Sequence, residues 1–337
     1  MGGFILKKQL KLVVFILMSL IVMAGCSEKE TSGGSGEASS DYPKKPIELI
    51  VPYPPGGGTD TVARAVEQVV NKYIPNDQQV VIVNRAGGTG TVGNTEVFNA
   101  KPDGYTMGLV TVETLSVQPH FGNTVYTHDS FQPITRVTSE PQIFVVRSDA
   151  PWDTFEEWLE FVKQNPNKFT YATPGPGSAG HIAMEAIATA EGFDVKDVPQ
   201  EGGGPAKTAV LGGDVDGLIL TFPELKAHIE SGELKILANV GETKTEPLKD
   251  IPTLKDLGID VGLDAYYAFV APKGIQQDVL DTLHEAFKKA LEDPDFVEQF
   301  ESMDFTPAYA SPEDTQKVIT DYFNSTGETL KEIGLIE

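Results

Sequence analysis

Three glycine-rich loops are the segments of this sequence best suited to bind an anion. Each follows a strand-like run, and they are PPGGGTD (54–60), RAGGTGTVGN (85–94) and TPGPGSAGH (173–181). Glycines let the backbone turn with positive φ and keep side chains away, and a Ser or Thr stands where a helix N-cap is expected. The free N–H groups of the helix then face the space beyond the strand. Each loop could also be only a tight strand-to-helix turn.

Two of these loops match the dinucleotide-binding pattern GxGxxG, at 88–93 and 175–180, and Glu113 could serve as the acid that binds a ribose. The pattern is short, and neither match opens the first strand–helix–strand unit. A dinucleotide-binding protein therefore remains only an alternative.

Ser178 and His181 suggest a second alternative, an exported serine hydrolase. Their segment has Pro176 where the nucleophile elbow of such enzymes needs glycine. Stoichiometric binding without turnover would separate a binding protein from this hydrolase.

Metal and phosphate motifs are incomplete. The segment 202–208 lacks the glycine that a P-loop has before its lysine, and the acids of 214–216 are too few for a calcium loop. The five histidines form no HExxH pattern, and a single cysteine cannot build a cysteine zinc site or an intramolecular disulfide. We expect no cofactor and no metal.

The loops lie in a chain that alternates strand-like and helix-like patterns, which predicts an α/β fold. The first unit reads as a strand at 46–53, a helix at 61–73 and a strand at 79–84. PITRVT (133–138) and QIFVVRS (142–148) predict two further strands, and the segment 276–303 is predicted to be helical.

The N-terminus has the features of a secretory signal. Three lysines precede an apolar run at 12–24 that is short for a membrane span, and small residues precede Cys26 as at a lipoprotein cleavage site. We predict a lipoprotein signal peptide at 1–25 and a lipidated Cys26 with a flexible tether at 26–43. A plain signal peptide or an N-terminal anchor is the alternative. The protein is therefore expected outside the cytoplasm, lipid-anchored to the cell membrane (periplasmic or outer face).

Charge excludes one class of partner. The chain has 26 basic and 49 acidic residues, and removing the signal's three lysines leaves 23 basic residues. Nucleic acid needs basic stripes that this sequence lacks. An anionic ligand must be held by local groups because the overall field repels it.

From Tyr42 onward the chain resembles the substrate-binding proteins of tripartite tricarboxylate transporters, the TctC-like or Bug-type family. The segments that carry the resemblance occur in the family's order: YPKKPIELIVPYPPGGGTDTVAR, NRAGGTGTVGN, KPDGYTM, YATPGPGSAGHIAMEAI, GGG followed by VLGGDVDGLI, SGELKILA, IPTLKDLGI and FVAPKGI. The resemblance implies a two-lobed periplasmic-binding-protein (type II) fold, each lobe a mixed sheet flanked by helices. It also implies a small carboxylate ligand in the cleft, delivery to membrane permease subunits, and no enzymatic activity. We expect a monomer.

The resemblance also assigns lobes and site residues. Lobe 1 is expected at 44–138 and 266–337, and lobe 2 at 139–265. The residues implied to contact the ligand come from both lobes: Tyr53, Pro55, Gly56, Gly57, Gly58, Thr59, Asp60, Gly88, Thr89, Gly90, Thr111, Glu113, Gly177, Ser178, Ala179, Gly203 and Asp216. Glu113 and Asp216 would repel a simple polyanion unless an amine, a hydroxyl or a proton intervenes.

Overall fold

The computed structural model describes residues 42–242 and 244–337, which form a mixed α/β fold. The predicted signal peptide, Cys26 and most of the tether lie outside the described residues. The strands are β1 (Ile47–Val51), β2 (Val80–Asn84), β3 (Thr106–Thr111), β4 (Phe131–Arg147), β5 (Thr170–Thr173), β6 (Lys196–Pro199), β7 (Gly217–Thr221), β8 (Leu234–Asn239), β9 (Asp264–Pro272) and β10 (Pro307–Ala310).

The α-helices pack around these strands. They are α1 (Gly58–Val70), α2 (Thr91–Asn99), α3 (Val112–Ser116), α4 (Phe155–Gln164), α5 (Ala179–Glu191), α6 (Gly203–Gly212), α7 (Phe222–Glu230), α8 (Gln277–Glu292), α9 (Pro294–Ser302) and α10 (Pro312–Glu332). Short 3₁₀ helices lie at Pro75–Asp77, Gln118–Phe121 and Glu246–Leu248. In the described part of the chain, no helix has the length and apolar character needed to cross a membrane.

Two sheets share the long strand β4. The first sheet has the order β2-β1-β3-β9-β4-β10, with β1 parallel to β2 and β3. The second has the order β8-β4-β7-β5-β6, with β5 parallel to β6 and β7. Parallel strands need crossover helices, and these helices begin at the carboxyl ends of the strands.

The prediction of two strands at 133–138 and 142–148 is wrong, because β4 is one strand of 17 residues. Its prolines lie where the pairing is irregular or changes, so their missing N–H groups do not break the strand. The register with β9 shifts after Pro133, and Pro141 is the last residue paired with β9 before Gln142 pairs with Thr221 of β7.

Two helical segments have bounds that differ from those predicted from the sequence. Helix α1 begins at Gly58, three residues before the predicted start, so the glycine loop itself supplies the first turn. The helical segment 276–303 is two helices, since Asp293 ends α8 and caps α9 just before Pro294. A proline cannot continue a helix that needs its N–H as a donor.

Apolar side chains cover both faces of each sheet, giving a two-lobed α/β architecture, here called the first and second lobes after their sheets. Helices α1, α8 and α9 share a buried core with β1 of the first sheet, and helices α4 and α5 pack their aromatic and aliphatic side chains on the second. Helices α8 and α9 thus belong to the first lobe's core. The residue boundaries predicted for the lobes stay a prediction.

The core of the second lobe should be sensitive to loss of a large side chain. Phe144 is fully buried, and its ring lies 4.7 Å from that of Trp158. We expect Phe144→Ala to lower the free energy of unfolding by about 3–5 kcal/mol, because it leaves a cavity. Denaturant unfolding followed by tryptophan fluorescence measures this loss. Val125→Ala, at a side chain that is 66% exposed, should change stability by less than about 0.5 kcal/mol; equal effects would contradict the packing described.

Candidate ligand-binding site

A small cavity lies between the two lobes. Its volume is about 70 Å³. Both lobes line it, through Tyr53, Pro54, Gly57, Gly58, Thr59, Thr111, Glu113, Thr114, Gln142, Pro174, Ser178, Ala179, Gly180, Gly203, Gly204, Ile219, Leu220, Thr221, Glu224, Ala265 and Tyr267.

Several helices begin at this cavity. The N-termini of α1, α5, α6 and α7 contribute Gly58, Ala179, Gly203 and Glu224 to its wall. The first N–H groups of a helix have no intrahelical partner, and each N-terminus carries the equivalent of roughly half a positive charge. No Lys or Arg is among the described residues that line the cavity. Main-chain donors therefore supply the positive potential.

The glycines of the first loop have different roles. Gly56 alone of the three adopts positive φ (+89°), whereas Gly57 is extended and Gly58 is the first residue of α1. The expectation that the glycines of this loop turn the chain with positive φ therefore holds for Gly56. Gly58 is needed for space, because a Cβ there would lie 2.7 Å from Cδ of Glu224 and 2.9 Å from the Tyr267 hydroxyl.

Glu224 joins the two lobes at the cavity. Its Oε1 accepts a hydrogen bond of 2.8 Å from the main-chain N–H of Gly58, and its Oε2 accepts one of 2.9 Å from the Thr221 hydroxyl. A carboxylate of the protein thus occupies the first donor of α1. A ligand carboxylate must use the donors of the other helices or displace Glu224.

Glu113 brings a second carboxyl group to the cavity. It lies in the first turn of α3, is 3% exposed, and its Oε1 accepts a hydrogen bond of 3.3 Å from the main-chain N–H of Tyr266. Its Oε2 is buried without a hydrogen-bond partner among the residues of the structure. Burial raises the pKa of Glu113 to about 7, against the lowering effect of hydrogen bonds. The group therefore titrates near neutral pH.

Asp60 does not line the cavity but fixes the loop that does. It accepts hydrogen bonds from the main-chain N–H of Gly56, the guanidinium of Arg64 and the amide of Asn84, at 2.9–3.0 Å. Burial opposes its ionisation, but these hydrogen bonds lower its pKa overall. Its position supports a structural role in holding the loop.

The second glycine loop lines a separate, neighbouring cavity. Gly88, Thr89 and Gly90 lie there with Tyr53, in a space of about 210 Å³ that residues of the second lobe also line. Tyr53 lines both this space and the first cavity.

Four other predicted residues line neither cavity, and they are Pro55, Gly56, Gly177 and Asp216. The carboxylate of Asp216 accepts hydrogen bonds from the main-chain N–H and the hydroxyl of Thr170, at 2.8 and 2.9 Å. Gly177 packs against Phe121 and Gln118, which a Cβ would approach to 2.6 and 2.8 Å. Nine predicted residues do line the first cavity: Tyr53, Gly57, Gly58, Thr59, Thr111, Glu113, Ser178, Ala179 and Gly203.

The Ser178–His181 pair does not have the geometry of a nucleophile and its base. The Ser178 hydroxyl caps α5 by accepting the main-chain N–H of His181 at 3.4 Å. The ring of His181 faces elsewhere, since Nδ1 accepts the N–H of Gly177 and Nε2 lies 3.9 Å from Asp197. A serine nucleophile needs a hydrogen bond to its base, so this pair reads as a helix cap.

Sequence reasoning missed several lining residues, among them Gln142, Glu224 and Tyr267. The spacing of Thr221 and Glu224 at a helix start matches a capping-box pattern, and this signal could have drawn attention to Glu224. Gln142 and Tyr267 lie on β4 and β9 and belong to no motif. Within residues 42–242 and 244–337, no cluster of three or more His, Cys, Asp or Glu side chains could hold a metal ion.

The raised pKa of Glu113 predicts a pH-dependent effect on stability. Its folded-state pKa of about 7 exceeds the ordinary value of 4.5, so the native chain loses stability as pH rises through this window. Glu113→Gln removes this titration, so the variant does not lose stability as the pH rises. The free energy of unfolding of the variant minus that of the native protein should therefore be up to about 3 kcal/mol larger at pH 8 than at pH 4.5.

Urea unfolding at the two pH values measures this difference. Glu285→Gln, which removes an exposed carboxylate outside the cavity, is the control and should show no such pH dependence. A difference between Glu113→Gln and native protein that is the same at both pH values would contradict the assignment.

Comparison with known proteins places the chain in a family. The family described as "Tripartite tricarboxylate transporter family receptor" matches residues 62–335. The protein BugT of Bordetella pertussis is 30% identical over 311 residues, covering 90% of this chain and 94% of BugT.

Solved structures share the fold. The periplasmic binding protein BugD has a TM-score of 0.82 and 30% identity, covering 87% of this chain and 99% of BugD. An R. palustris protein solved with adipate has a TM-score of 0.82 at 24% identity, covering 87% and 99% of the two chains, a likeness that establishes the fold alone. The chain therefore belongs to the tripartite tricarboxylate transporter receptor (TctC) family of extracytoplasmic solute-binding proteins, as its sequence motifs predicted.

Proposed function

We propose that this receptor captures a small carboxylate in the cavity between its lobes and delivers it to the membrane permease subunits of a tripartite tricarboxylate transporter. One observation carries the proposal: helix N-termini from both lobes meet at a small cavity whose described lining has no basic side chain. Unpaired main-chain N–H groups at helix N-termini are suited to carboxylates. The adipate in the R. palustris protein is consistent with a carboxylate in this fold.

Binding draws on both lobes, so it favours the closed arrangement of the cleft. Direct contacts already bridge the lobes beside the cavity. Besides the Glu224–Gly58 bond, the Gln118 amide donates to the Pro176 carbonyl at 2.8 Å, and Lys226 pairs with Asp304. With lobe 1 at 44–138 and 266–337 and lobe 2 at 139–265, the hinge lies where β4 passes from the first sheet to the second and where the chain returns at the start of β9.

The N-terminal features complete the proposal. A signal peptide at 1–25 directs export, Cys26 carries a lipid, and the tether lets the binding domain reach the permease. The receptor works as a monomer without a cofactor, and it releases its ligand chemically unchanged.

Calorimetry with small carboxylates tests the function. Suitable probes are succinate, malate, glutarate, citrate, aspartate and glutamate. We expect at least one to bind with one-to-one stoichiometry and to be recovered unaltered. No binding by any of them, or conversion of the bound probe, would contradict a carboxylate receptor.

Gly58→Ala should weaken this binding by at least about tenfold, the order of one charge-assisted hydrogen bond. The added methyl group displaces Glu224 and enters the cavity. Gly212→Ala is the matched control, because its Cβ would meet only the Asp214 carboxylate at an ordinary 3.7 Å, outside the cavity. Native affinity in correctly folded Gly58→Ala protein would show that the anion binds elsewhere.

Replacing the lipidated residue should release the protein. Cys26→Ser removes the only thiol of the chain, so we expect the protein to leave the membrane fraction or to keep its signal peptide. Fractionation and intact-mass measurement decide this, with Ser27→Ala as the control. Membrane-bound, lipid-labelled Cys26→Ser protein would refute the anchor.

A further inference from the structure

The peptide group between Pro176 and Gly177 is hydrogen-bonded from both lobes. Its carbonyl accepts a hydrogen bond of 2.8 Å from the side-chain amide of Gln118 in the first lobe. Its N–H donates a buried hydrogen bond of 3.2 Å to Nδ1 of His181 in the second lobe. The C=O and N–H of a planar trans peptide point in opposite directions. The bond to His181 therefore also fixes the direction of the carbonyl that reaches Gln118.

This peptide group lies in a loop that leads directly to the cavity. The loop has two glycines at positive φ, Gly175 at +129° and Gly177 at +75°. Glycine restricts the backbone less than any other residue, so the shape of the loop depends on hydrogen bonds. Ser178 follows as the N-cap of α5, and Ser178 and Ala179 line the cavity. A change in the loop would therefore move one wall of the cavity.

Asp197 of β6 connects the two ends of this loop. Its Oδ1 accepts a hydrogen bond of 2.9 Å from the Thr173 hydroxyl, whose oxygen accepts one of 3.3 Å from the N–H of Gly175. Its Oδ2 lies 3.9 Å from Nε2 of His181. The ring of His181 thus has the loop at one nitrogen and a carboxyl group near the other.

The bond to Gly177 requires a particular protonation state of His181. A ring nitrogen that accepts an N–H carries no proton, so the proton of the neutral ring is on Nε2, towards Asp197. The charged ring carries a proton on both nitrogens, and its Nδ1–H would face the N–H of Gly177 donor to donor. Acidic conditions therefore work against this bond.

The acidic groups around the ring favour its charged form. Burial raises the pKa of Asp197, and the positive charge of His181 lowers it, so charge on each group stabilises charge on the other. Glu185 of α5 is a second acid near Asp197, and its Oε1 accepts a hydrogen bond of 2.7 Å from the Tyr171 hydroxyl. The Gly177 N–H opposes these acids, and the pH decides the balance.

We infer that neutral His181 is a positioning residue for ligand capture, because it holds the Pro176–Gly177 peptide group with its carbonyl towards Gln118 and the start of α5 at the cavity. The inference rests on the proposed function, since it concerns the same cavity. At acidic pH the charged ring releases the Gly177 N–H, and the receptor binds carboxylates less tightly.

Amide hydrogen exchange on the ligand-free full chain tests the positioning role without any ligand. His181→Leu removes the acceptor, so we expect the Gly177 amide to exchange about tenfold faster than in the native protein, the order of one hydrogen bond. His181→Asn should restore most of the protection, because its side-chain oxygen is an acceptor on the same side of the residue as Nδ1. His284→Leu is the control and should leave Gly177 unchanged, since His284 contacts the Ile134 carbonyl and does not line the cavity.

Calorimetry with succinate, malate and citrate at pH 8 and pH 5.5 tests the effect on binding, because histidine ordinarily changes charge in this range. For each probe that the native protein binds, His181→Leu should weaken binding by about tenfold at pH 8, and His181→Asn should bind more tightly than His181→Leu. Lowering the pH should weaken binding more in the native protein than in His181→Asn, which has no titrating group at this position. Comparing the two proteins with one probe cancels the titration of the probe and of Glu113.

The outcomes separate the inference from the proposed function. Native exchange at Gly177 in folded His181→Leu protein would overturn the inference, as would the same pH dependence of binding in the native protein and His181→Asn. Native affinity in folded His181→Leu at both pH values would overturn it too and leave the carboxylate receptor standing. Binding of none of the probes would count against the proposed function, whereas faster Gly177 exchange in His181→Leu would still support the hold of His181 on the loop. Thermal unfolding verifies that each variant is folded.

Discussion

Main-chain N–H groups at helix N-termini have no partners within their own helices, and in this protein several such termini meet at one cavity. The topology enforces the meeting. Parallel strands in each sheet are followed by helices that start at the same sheet edge. Because β4 belongs to both sheets, the helix-bearing edges of the two lobes line the same space. Gly58 and Gly203 leave room there for the side chain of Glu224.

This arrangement must work against the charge of the whole chain, which is −23. A distant anion is repelled, so attraction has to come from groups within a few ångströms, where solvent ions screen least. The protein offsets part of the helix potential with its own carboxyl groups. Glu224 is fully bonded, whereas Glu113 keeps one oxygen unpaired and has a pKa raised by burial to about 7.

Local signals in the sequence were sufficient to predict much of the fold. Glycine loops after strand-like runs predicted the βα turns, and the 54–60 and 173–181 loops do meet at the cavity. Helix α1 starts earlier than its apolar periodicity indicates, because Gly57 serves as its N-cap and Gly58 as its first residue. The apolar segments at 133–138 and 142–148 predict two strands where the structure has the single strand β4, and only the pairing with β9 and β7 shows that the N–H groups missing at Pro133 and Pro141 are not needed. Gln142, Glu224 and Tyr267 join the site through the packing of one lobe on the other, which no local pattern encodes.

A crystal structure of the ligand-bound protein tests the central claim most directly. The account predicts one small carboxylate between the lobes, with its oxygens about 2.7–3.2 Å from main-chain nitrogens that begin helices in both lobes. It also predicts that no Lys or Arg side chain contacts the ligand. A ligand held by one lobe alone, or bound away from the helix N-termini, would contradict the account.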